Sequence, residues 1–193
     1  MNNLLFFSHN HKKILEVESI LDHKGVKIHN LKSFKKLKEP IENGLSFAEN
    51  AKIKSDFGLK FFDIPCFADD SGICVEAMKN KPGIKSKRFL DKFSTKRSAF
   101  DHIISNVIKN KNDKAFFKTV ICLSIKKNHH IVFEGKINGR ISIKPKGSNG
   151  FGYDPIFIPD GYKKTFAEMS IKEKNTISHR KIALMKMESF LFN

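Results

Sequence analysis

Two adjacent acids interrupt an apolar run in the first half of the chain. Asp69 and Asp70 lie in the segment PCFADDSGICV, residues 65–75, between two stretches typical of strands. A carboxylate at the end of a strand is a suitable ligand for a hard cation such as Mg²⁺, which also binds phosphate oxygens. Successive strand side chains point to opposite faces, so both acids approach one site only if the chain turns, as Gly72 would permit. The alternative is a polar turn without chemistry.

A second polar segment, SHNHKK, follows an apolar stretch and opens a helical pattern. Backbone N–H groups at the start of a helix attract phosphate, and Ser8, Asn10 and Lys13 would add hydrogen bonds and a positive charge. The segment lacks the GxxxxGK[ST] pattern of a Walker A loop. His9 and His11 could suggest a metal, but the sequence offers no obvious third ligand, which favours two surface histidines.

A third segment, KGSNGFGYDPIF, combines glycines with aromatic residues. Small residues let a flat ligand approach the backbone, Phe151 and Tyr153 could stack on a base, and Asp154 could accept hydrogen bonds from its edge. The residues SHR at 178–180 begin the last helix, where two cations oppose the helix dipole and favour an anionic or polar ligand nearby. The alternative is an ordinary glycine-rich loop with Phe151 packed in the core.

These segments occur together in an order that resembles the inosine triphosphate pyrophosphatase family, which hydrolyses non-canonical purine nucleoside triphosphates. The matching stretches are [ST]-x-N-x-x-K at Ser8–Lys13, GLSFAENAKIK at Gly44–Lys54, ADDSG at 68–72, PGIKSKR at 82–88, NGFGYDPIF at 149–157 and EKNTISHR at Glu173–Arg180. Each motif is modest, but six in order over nearly the whole chain form a specific signal.

The resemblance implies hydrolysis of ITP, dITP and XTP to the monophosphate and pyrophosphate, with Mg²⁺ as cofactor. Glu42 and Asp70 would be associated with the metal, Asp70 would be the catalytic base or water-orienting group, and Asp69 would be a supporting acid. The phosphates would contact Ser8, His9, Asn10, His11, Lys12, Lys13, Lys54 and Ser71. The base would lie among Phe151, Gly152, Tyr153, Asp154, Lys174, His179 and Arg180.

Base choice would follow from hydrogen bonding, because a 6-oxo purine offers an O6 acceptor and an N1–H donor whereas adenine offers the reverse. Three departures from the family pattern bear on substrate preference. His9 stands where relatives often have glycine or a small residue, Asn149 stands at a frequent glycine position, and KSKRF at 85–89 has lysine where tyrosine or alanine is common. Tyr153 stands where some relatives carry tryptophan.

The elements that must position these residues follow from apolar periodicity. Strands are predicted at LLFF, VKIHNL, CFAD, ICVEAM, AFFKTVICLSIKK and IVFEGKINGRIS, the last two joined by a tight connection. Helices are predicted over residues 11–25, 46–62, 95–110 and 178–192, with Gly25 ending the first. On the second helix, Ala48, Ala51, Phe57 and Phe61 are expected to line the buried side.

This order is mixed α/β, and the resemblance adds the rest of the fold. We expect one domain over residues 1–193, an α/β fold with a long mixed central sheet, flanking helices and two lobes around a substrate cleft. The family also implies a homodimer.

Composition narrows the class of protein. The chain of 193 residues carries 36 Lys and Arg against 20 Asp and Glu, a formal charge of +16. This charge favours nucleic acid or an anionic small molecule, but only four basic residues are arginine, so AT-rich codon usage explains it equally well. We expect no membrane segment and no signal peptide. Cys66, Cys74 and Cys122 suggest neither disulfides nor zinc, which favours the cytoplasm.

Three alternatives to the pyrophosphatase remain. A Maf-type nucleotide pyrophosphatase is disfavoured because FGYDP and SHR belong to the inosine-type pattern. A basic nucleic-acid-binding protein is disfavoured because no RRM, KH or helix-turn-helix signature is present, so we expect no nucleic-acid partner. An inactive relative is disfavoured because Lys13, Glu42, Asp70 and Arg180 are all present.

Overall fold

Strands and helices alternate along the chain in nearly the order that the sequence predicts. The computed structural model describes residues 3–21, 27–34 and 37–192, so the helix end predicted at Gly25 lies outside the described residues. The strands are β1 Asn3–Phe6, β2 Lys27–Asn30, β3 Cys66–Val75, β4 Lys81–Pro82, β5 Lys114–Lys126, β6 His129–Ile141 and β7 Phe157–Pro159. The helices are α1 His11–Leu21, α2 Phe47–Phe62, α3 Ser86–Leu90, α4 Lys96–Asn110, α5 Ile171–Ile177 and α6 His179–Phe192.

The strands form one mixed sheet, which confirms the predicted α/β class with flanking helices. The strand order is β2-β1-β3-β5-β6-β7, and β4 pairs with β3. β1 is parallel to both β2 and β3, whereas β4 is antiparallel to β3 and β7 is antiparallel to β6. The parallel pair β1–β2 is connected through α1, as a parallel pair requires a crossover. None of the described helices is long and apolar enough to cross a membrane.

The chain divides into two compact units. The first unit contains the described residues of Met1–Asp70, Thr119–Gly135 and Arg180–Asn193, and the second contains Ser71–Lys118 and Lys136–His179. In the first unit, residues of α1 and α6 pack with Phe6, Phe67 and Leu123, and a second cluster groups Phe7, Cys66 and Ala68. The core of the second unit joins Ile73 and Phe117 of the sheet to the apolar face of α4.

The segment around the paired acids differs from the prediction of two strands and a turn. β3 is continuous from Cys66 to Val75, and the acids occupy consecutive positions within it. Gly72 does not provide a bend: a Cβ there would lie 2.2 Å from the Gly83 carbonyl oxygen and 2.5 Å from Ser86 Oγ. Glycine is therefore required by the close approach of residues 83–86 to the strand.

The buried face of α2 also differs from the prediction. Ser46 caps the helix by accepting a hydrogen bond from Glu49 N, as expected, but the buried residues are Asn50, Ala51, Lys54, Ser55 and Gly58. Of the four residues predicted for this side, only Ala51 is buried, and Phe61 is 58% exposed. A polar face is buried because its side chains make the hydrogen bonds of the site. By contrast, the predicted apolar face of α4 is confirmed, with Phe100, Ile103, Ile104 and Val107 all buried.

Candidate active site

Asp69 is the centre of a buried charge cluster in the first unit. Its carboxylate is 2% exposed and accepts hydrogen bonds from Lys13 Nζ at 3.0 Å and from Arg180 Nη2 at 3.1 Å. Lys54 Nζ donates to the main-chain oxygen of the same residue at 2.7 Å. Burying a charge is costly unless it is paired and hydrogen-bonded, so these contacts fix three cations around one strand position.

Glu16 of α1 extends this cluster. Its carboxylate accepts a hydrogen bond from Arg180 Nη1 and is itself buried. Burial lowers the pKa of the Arg180 guanidinium, but Glu16 and Asp69 outweigh it and the pKa is raised overall. Glu16 is not among the residues predicted for the site. Its spacing gave a usable signal, because it follows Lys13 by three residues on the face of α1 that carries Ile14 and Val17.

The polar segment before α1 has a defined hydrogen-bond pattern. Asn10 Oδ1 accepts from the backbone N–H groups of Lys12 at 3.1 Å and Lys13 at 3.3 Å, and Ser8 Oγ accepts from Asn10 N at 3.2 Å. Asn10 therefore caps the helix with its side-chain oxygen, and its amide N–H₂ group is a further hydrogen-bond donor. The side chains of His11 and Lys12 are exposed.

The ammonium of Lys13 is held at an energetic cost. Burial lowers its pKa, and the nearby Lys54 and Arg180 lower it further, although Asp69 opposes these effects. The charged form is therefore less favourable in the folded protein than in water. An anion that reached Lys13 would relieve this cost.

Asp70 belongs to the opposite face of β3 from Asp69, because adjacent strand positions alternate. Its Oδ2 accepts a hydrogen bond from Asn50 Nδ2 at 3.1 Å, a contact of α2 that the sequence analysis missed. Burial raises the pKa of the Asp70 carboxyl, the Glu42 charge raises it further, and Lys54 opposes both. A carboxylate whose pKa is raised by burial and by a neighbouring negative charge is one that a cation stabilises.

Lys54 currently supplies positive charge between these carboxylates. Its Nζ lies 2.6 Å from Glu42 Oε1, and although burial lowers the Lys54 pKa, Asp69, Asp70 and Glu42 outweigh it and raise the pKa. Within the described ranges no group of three or more His, Cys, Asp or Glu side chains could hold a metal ion. A cation here would therefore use Glu42 and Asp70 and take its other oxygens from water or phosphate, which suits Mg²⁺.

A second buried ion pair braces the glycine-rich loop of the second unit. Asp154 Oδ2 accepts hydrogen bonds from Phe151 N and from Lys174 Nζ, both at 2.7 Å, and both charged side chains are buried. Gly150 has φ 70°, and a Cβ there would lie 2.0 Å from Asp154 Oδ2. Glycine is required at this position because the carboxylate occupies the space of a side chain.

The same loop presents an aromatic face. Lys174 Nζ lies 4.8 Å from the centroid of the partly exposed Phe151 ring, a cation–π contact. Gly152 has φ 62°, and nothing lies within 4 Å of the place where its Cβ would be. This arrangement combines an ammonium donor, an aromatic ring and open backbone, which together can hold a flat polar ring.

Tyr153 and His179 pack inside the second unit. The Tyr153 hydroxyl donates to the Ser86 main-chain oxygen at 2.7 Å, and burial raises its pKa. The buried His179 ring stacks on Phe117 with centroids 4.7 Å apart. Ser71 is partly exposed in β3.

The structure thus groups the predicted site residues into two sets. The first unit contains Ser8–Lys13, Glu42, Lys54, Asp69, Asp70 and Arg180; the second contains Ser71, Phe151–Asp154, Lys174 and His179. The contacts described for Arg180 are with Asp69 and Glu16, so its predicted place around a base stays a prediction.

Comparison with known proteins identifies the family. The model of the Ham1 family matches residues 4–190, and the chain belongs to this family.

Relatives and solved structures agree over almost the full length. The chain is 35% identical over 188 residues to a dITP/XTP pyrophosphatase of Christiangramia forsetii, covering 97% of this chain and 98% of that protein. It is 38% identical over 192 residues to a dITP/XTP pyrophosphatase of Porphyromonas gingivalis, covering 99% and 98%. The structure of a HAM1 protein from Coxiella burnetii superposes with a TM-score of 0.89 at 32% identity, covering 99% of this chain and 98% of that one.

Replacing Asp70 by Asn should raise the melting temperature at neutral pH. Because the folded pKa is raised, the folded protein keeps a proton that the unfolded chain has released, and stability falls as pH rises from the ordinary pKa to the folded pKa. Thermal unfolding is measured at a series of pH values. The difference in melting temperature between D70N and wild type should grow from the ordinary pKa of Asp to the folded pKa of Asp70 and stay constant at higher pH. D101N, at an exposed acid, is the control. Equal stability at neutral pH would contradict this cause.

Replacing Lys174 by Met should lower the free energy of unfolding by ~3 kcal/mol, because it leaves a buried charge on Asp154 without its ammonium partner. The double variant D154N/K174M should lose less, since it removes both charges. Urea unfolding of both variants and the wild type measures this. A double variant that is less stable than K174M would show that the ion pair is not the source of the loss.

Proposed function

We propose that this protein hydrolyses the non-canonical purine nucleoside triphosphates ITP, dITP and XTP to the monophosphate and pyrophosphate. The observation that carries the proposal is the position of two carboxylates around Lys54, the buried Asp70 and the partly exposed Glu42, on a chain of the Ham1 family. The dITP/XTP pyrophosphatase names of the curated relatives supply the substrate class. We propose further that residues 1–193 act as a single domain, as a cytoplasmic homodimer.

Glu42 and Asp70 would hold Mg²⁺ in this proposal. When bound, Mg²⁺ neutralises negative charge on the phosphate oxygens and so favours nucleophilic attack. The pKa of Asp70 is raised, in part by the charge of Glu42, and this supports the assignment. A divalent cation would relieve the repulsion between the two carboxylates.

The remaining residues of the first unit would bind and orient the triphosphate. Lys13 would bind a phosphate oxygen, while Asp69, its present partner, remains paired with Arg180. Lys54 and the amide N–H₂ group of Asn10 would add further donors. Ser8, His9, His11, Lys12 and Ser71 would complete the contacts with the triphosphate.

Asp70 would act as the general base. It would take a proton from the water whose oxygen forms the new bond to the α-phosphorus, while the bond from the α-phosphorus to the bridging oxygen breaks and pyrophosphate leaves. The hydrogen bond from Asn50 Nδ2 orients the Asp70 carboxylate, which supports this role.

The second unit would bind the purine. Phe151 would stack on the base beside the open backbone at Gly152, and Lys174, held by Asp154, would donate to O6. Adenine carries an amino group at that position, which cannot accept the hydrogen bond that Lys174 would donate to O6, and this disfavours adenine. Tyr153 and His179 would support these base-binding residues through their packing in the second unit. Arg180 would be a further polar group near the base.

A substrate panel tests the proposed reaction directly. ITP, dITP, XTP, GTP and ATP are each incubated with enzyme and Mg²⁺, and pyrophosphate is assayed separately from orthophosphate. We expect pyrophosphate from the first three and much slower release from ATP. Release of orthophosphate alone, or steep salt-dependent binding of nucleic acid without turnover, would contradict the proposal.

D70N should fold and lose at least ~10²-fold in turnover, because a positioned acid or base contributes at least this much. D101N removes an exposed acid and serves as the matched control. Steady-state pyrophosphate release from ITP measures the effect. A D70N rate near that of wild type would remove Asp70 from the mechanism.

F151A should raise the Michaelis constant for ITP by about tenfold and lower the maximal rate less, because base stacking on an aromatic ring is worth ~1–3 kcal/mol. F61A, which removes an exposed ring from α2, is the control. The opposite pattern, a reduced maximal rate with an unchanged Michaelis constant, would exclude stacking as the role of Phe151.

A further inference from the structure

The segment that carries Glu42 has no regular secondary structure of its own. Residues 37–45 contain neither helix nor strand. At the end nearest α2 the segment is held by that helix: Gly44 N donates to Asn50 Oδ1 at 2.9 Å, and Leu45 N donates to Glu49 Oε2 at 2.7 Å. The position of Glu42 therefore also depends on what holds the opposite end.

At the opposite end, Leu37 N donates to the Phe34 main-chain oxygen at 2.9 Å, and Glu39 adds two hydrogen bonds with His9. Its Oε1 accepts from the backbone N–H of His9 at 3.1 Å and lies 3.2 Å from His9 Nδ1. Burial raises the Glu39 pKa, but the two His9 hydrogen bonds, together with the charges of Lys54 and His9, outweigh it, so the pKa is lowered overall. The ring also reaches the Phe34 main-chain oxygen, with Nε2 at 3.4 Å. His9 thus contacts the side chain of Glu39, which lies within residues 37–45, and the main chain of Phe34, which precedes them.

We propose that His9 and Glu39 are positioning residues, which fix Glu42 by joining residues 37–45 to the polar segment before α1. This inference rests on the proposed function, in which both segments serve the triphosphate and its cation.

Hydrogen-bond geometry, rather than charge, carries the effect. The Glu39 and His9 side chains are 37% and 28% exposed, and an ion pair at that exposure contributes little through charge. An amide oxygen can accept the same hydrogen bonds as a carboxylate oxygen. E39Q should therefore behave like wild type, whereas E39A should release the segment.

The variants are E39A, E39Q, H9F and the double variant H9F/E39A. H9F keeps the ring that lies edge-on to Phe7 and keeps the backbone N–H, but removes both ring nitrogens. H130F, at an exposed histidine beside the β5–β6 turn, is the matched control. Three quantities are measured: the Mg²⁺ concentration for half-maximal pyrophosphate release, the Michaelis constant for dITP at saturating Mg²⁺, and hydrogen exchange of the amides in residues 37–45.

We expect E39A to raise the half-maximal Mg²⁺ concentration about tenfold, as loss of a group that orients a metal ligand typically does, with little change in the Michaelis constant. Amide exchange in residues 37–45 should accelerate in E39A and stay at the wild-type rate in E39Q and H130F. H9F should raise the half-maximal Mg²⁺ concentration and accelerate exchange in residues 37–45 as E39A does, and in these two quantities H9F/E39A should add nothing to E39A alone.

The inference is overturned if E39A leaves both the Mg²⁺ requirement and the exchange rate unchanged, or if E39Q is as defective as E39A. It is also overturned if E39A changes the Michaelis constant instead of the Mg²⁺ requirement, because the pair would then act on the nucleotide. If wild type releases no pyrophosphate, the proposed function fails, while the exchange rates still decide whether Glu39 holds the segment.

Discussion

Two adjacent carboxylates on one continuous strand must face opposite sides of the sheet, and the first unit is arranged around this constraint. Asp69 meets α1 and Arg180 of α6 on one side, whereas Asp70 meets Asn50 of α2 on the other. Lys54 joins the two environments, because its ammonium bonds the Asp69 main-chain oxygen while its charge acts on Asp70. One strand therefore places an acid with two cationic partners on one side of the sheet and an acid bonded to an amide on the other.

The difference between the acids lies in how their charge is compensated. Asp69 has two cationic partners, and Arg180 shares its own charge with Glu16, so this side is closely balanced without a ligand. On the other side, Asp70 and Glu42 repel each other and burial adds to the cost. Burial still penalises the Lys13 ammonium on the first side, and costs of this kind are typical of a site that gives up stability for binding.

Much of this could be predicted from sequence, and the failures have identifiable causes. Apolar periodicity located α1, α4, α6 and the two long strands, because each buries an apolar face. It failed for α2, where the buried stripe of Asn50, Lys54 and Ser55 is polar and pattern reading assigns polar residues to solvent. It also failed at β3, where two acids and a glycine indicate a turn unless the contacts that satisfy them are known. Glu16 and Glu39 were missed for a related reason, since their partners lie far away in sequence.

The hydrogen bond of Tyr153 limits which side chains can replace it. The hydroxyl bonds a main-chain oxygen, so this bond survives a change of side chain at residue 86. Tyrosine and tryptophan are the two bulky aromatic residues with an intrinsic N–H or O–H donor on an otherwise apolar ring, whereas phenylalanine has none. The chain already uses 19 phenylalanines for packing. A phenylalanine at residue 153 would keep the ring packing but remove the hydrogen bond that joins the glycine-rich loop to Ser86.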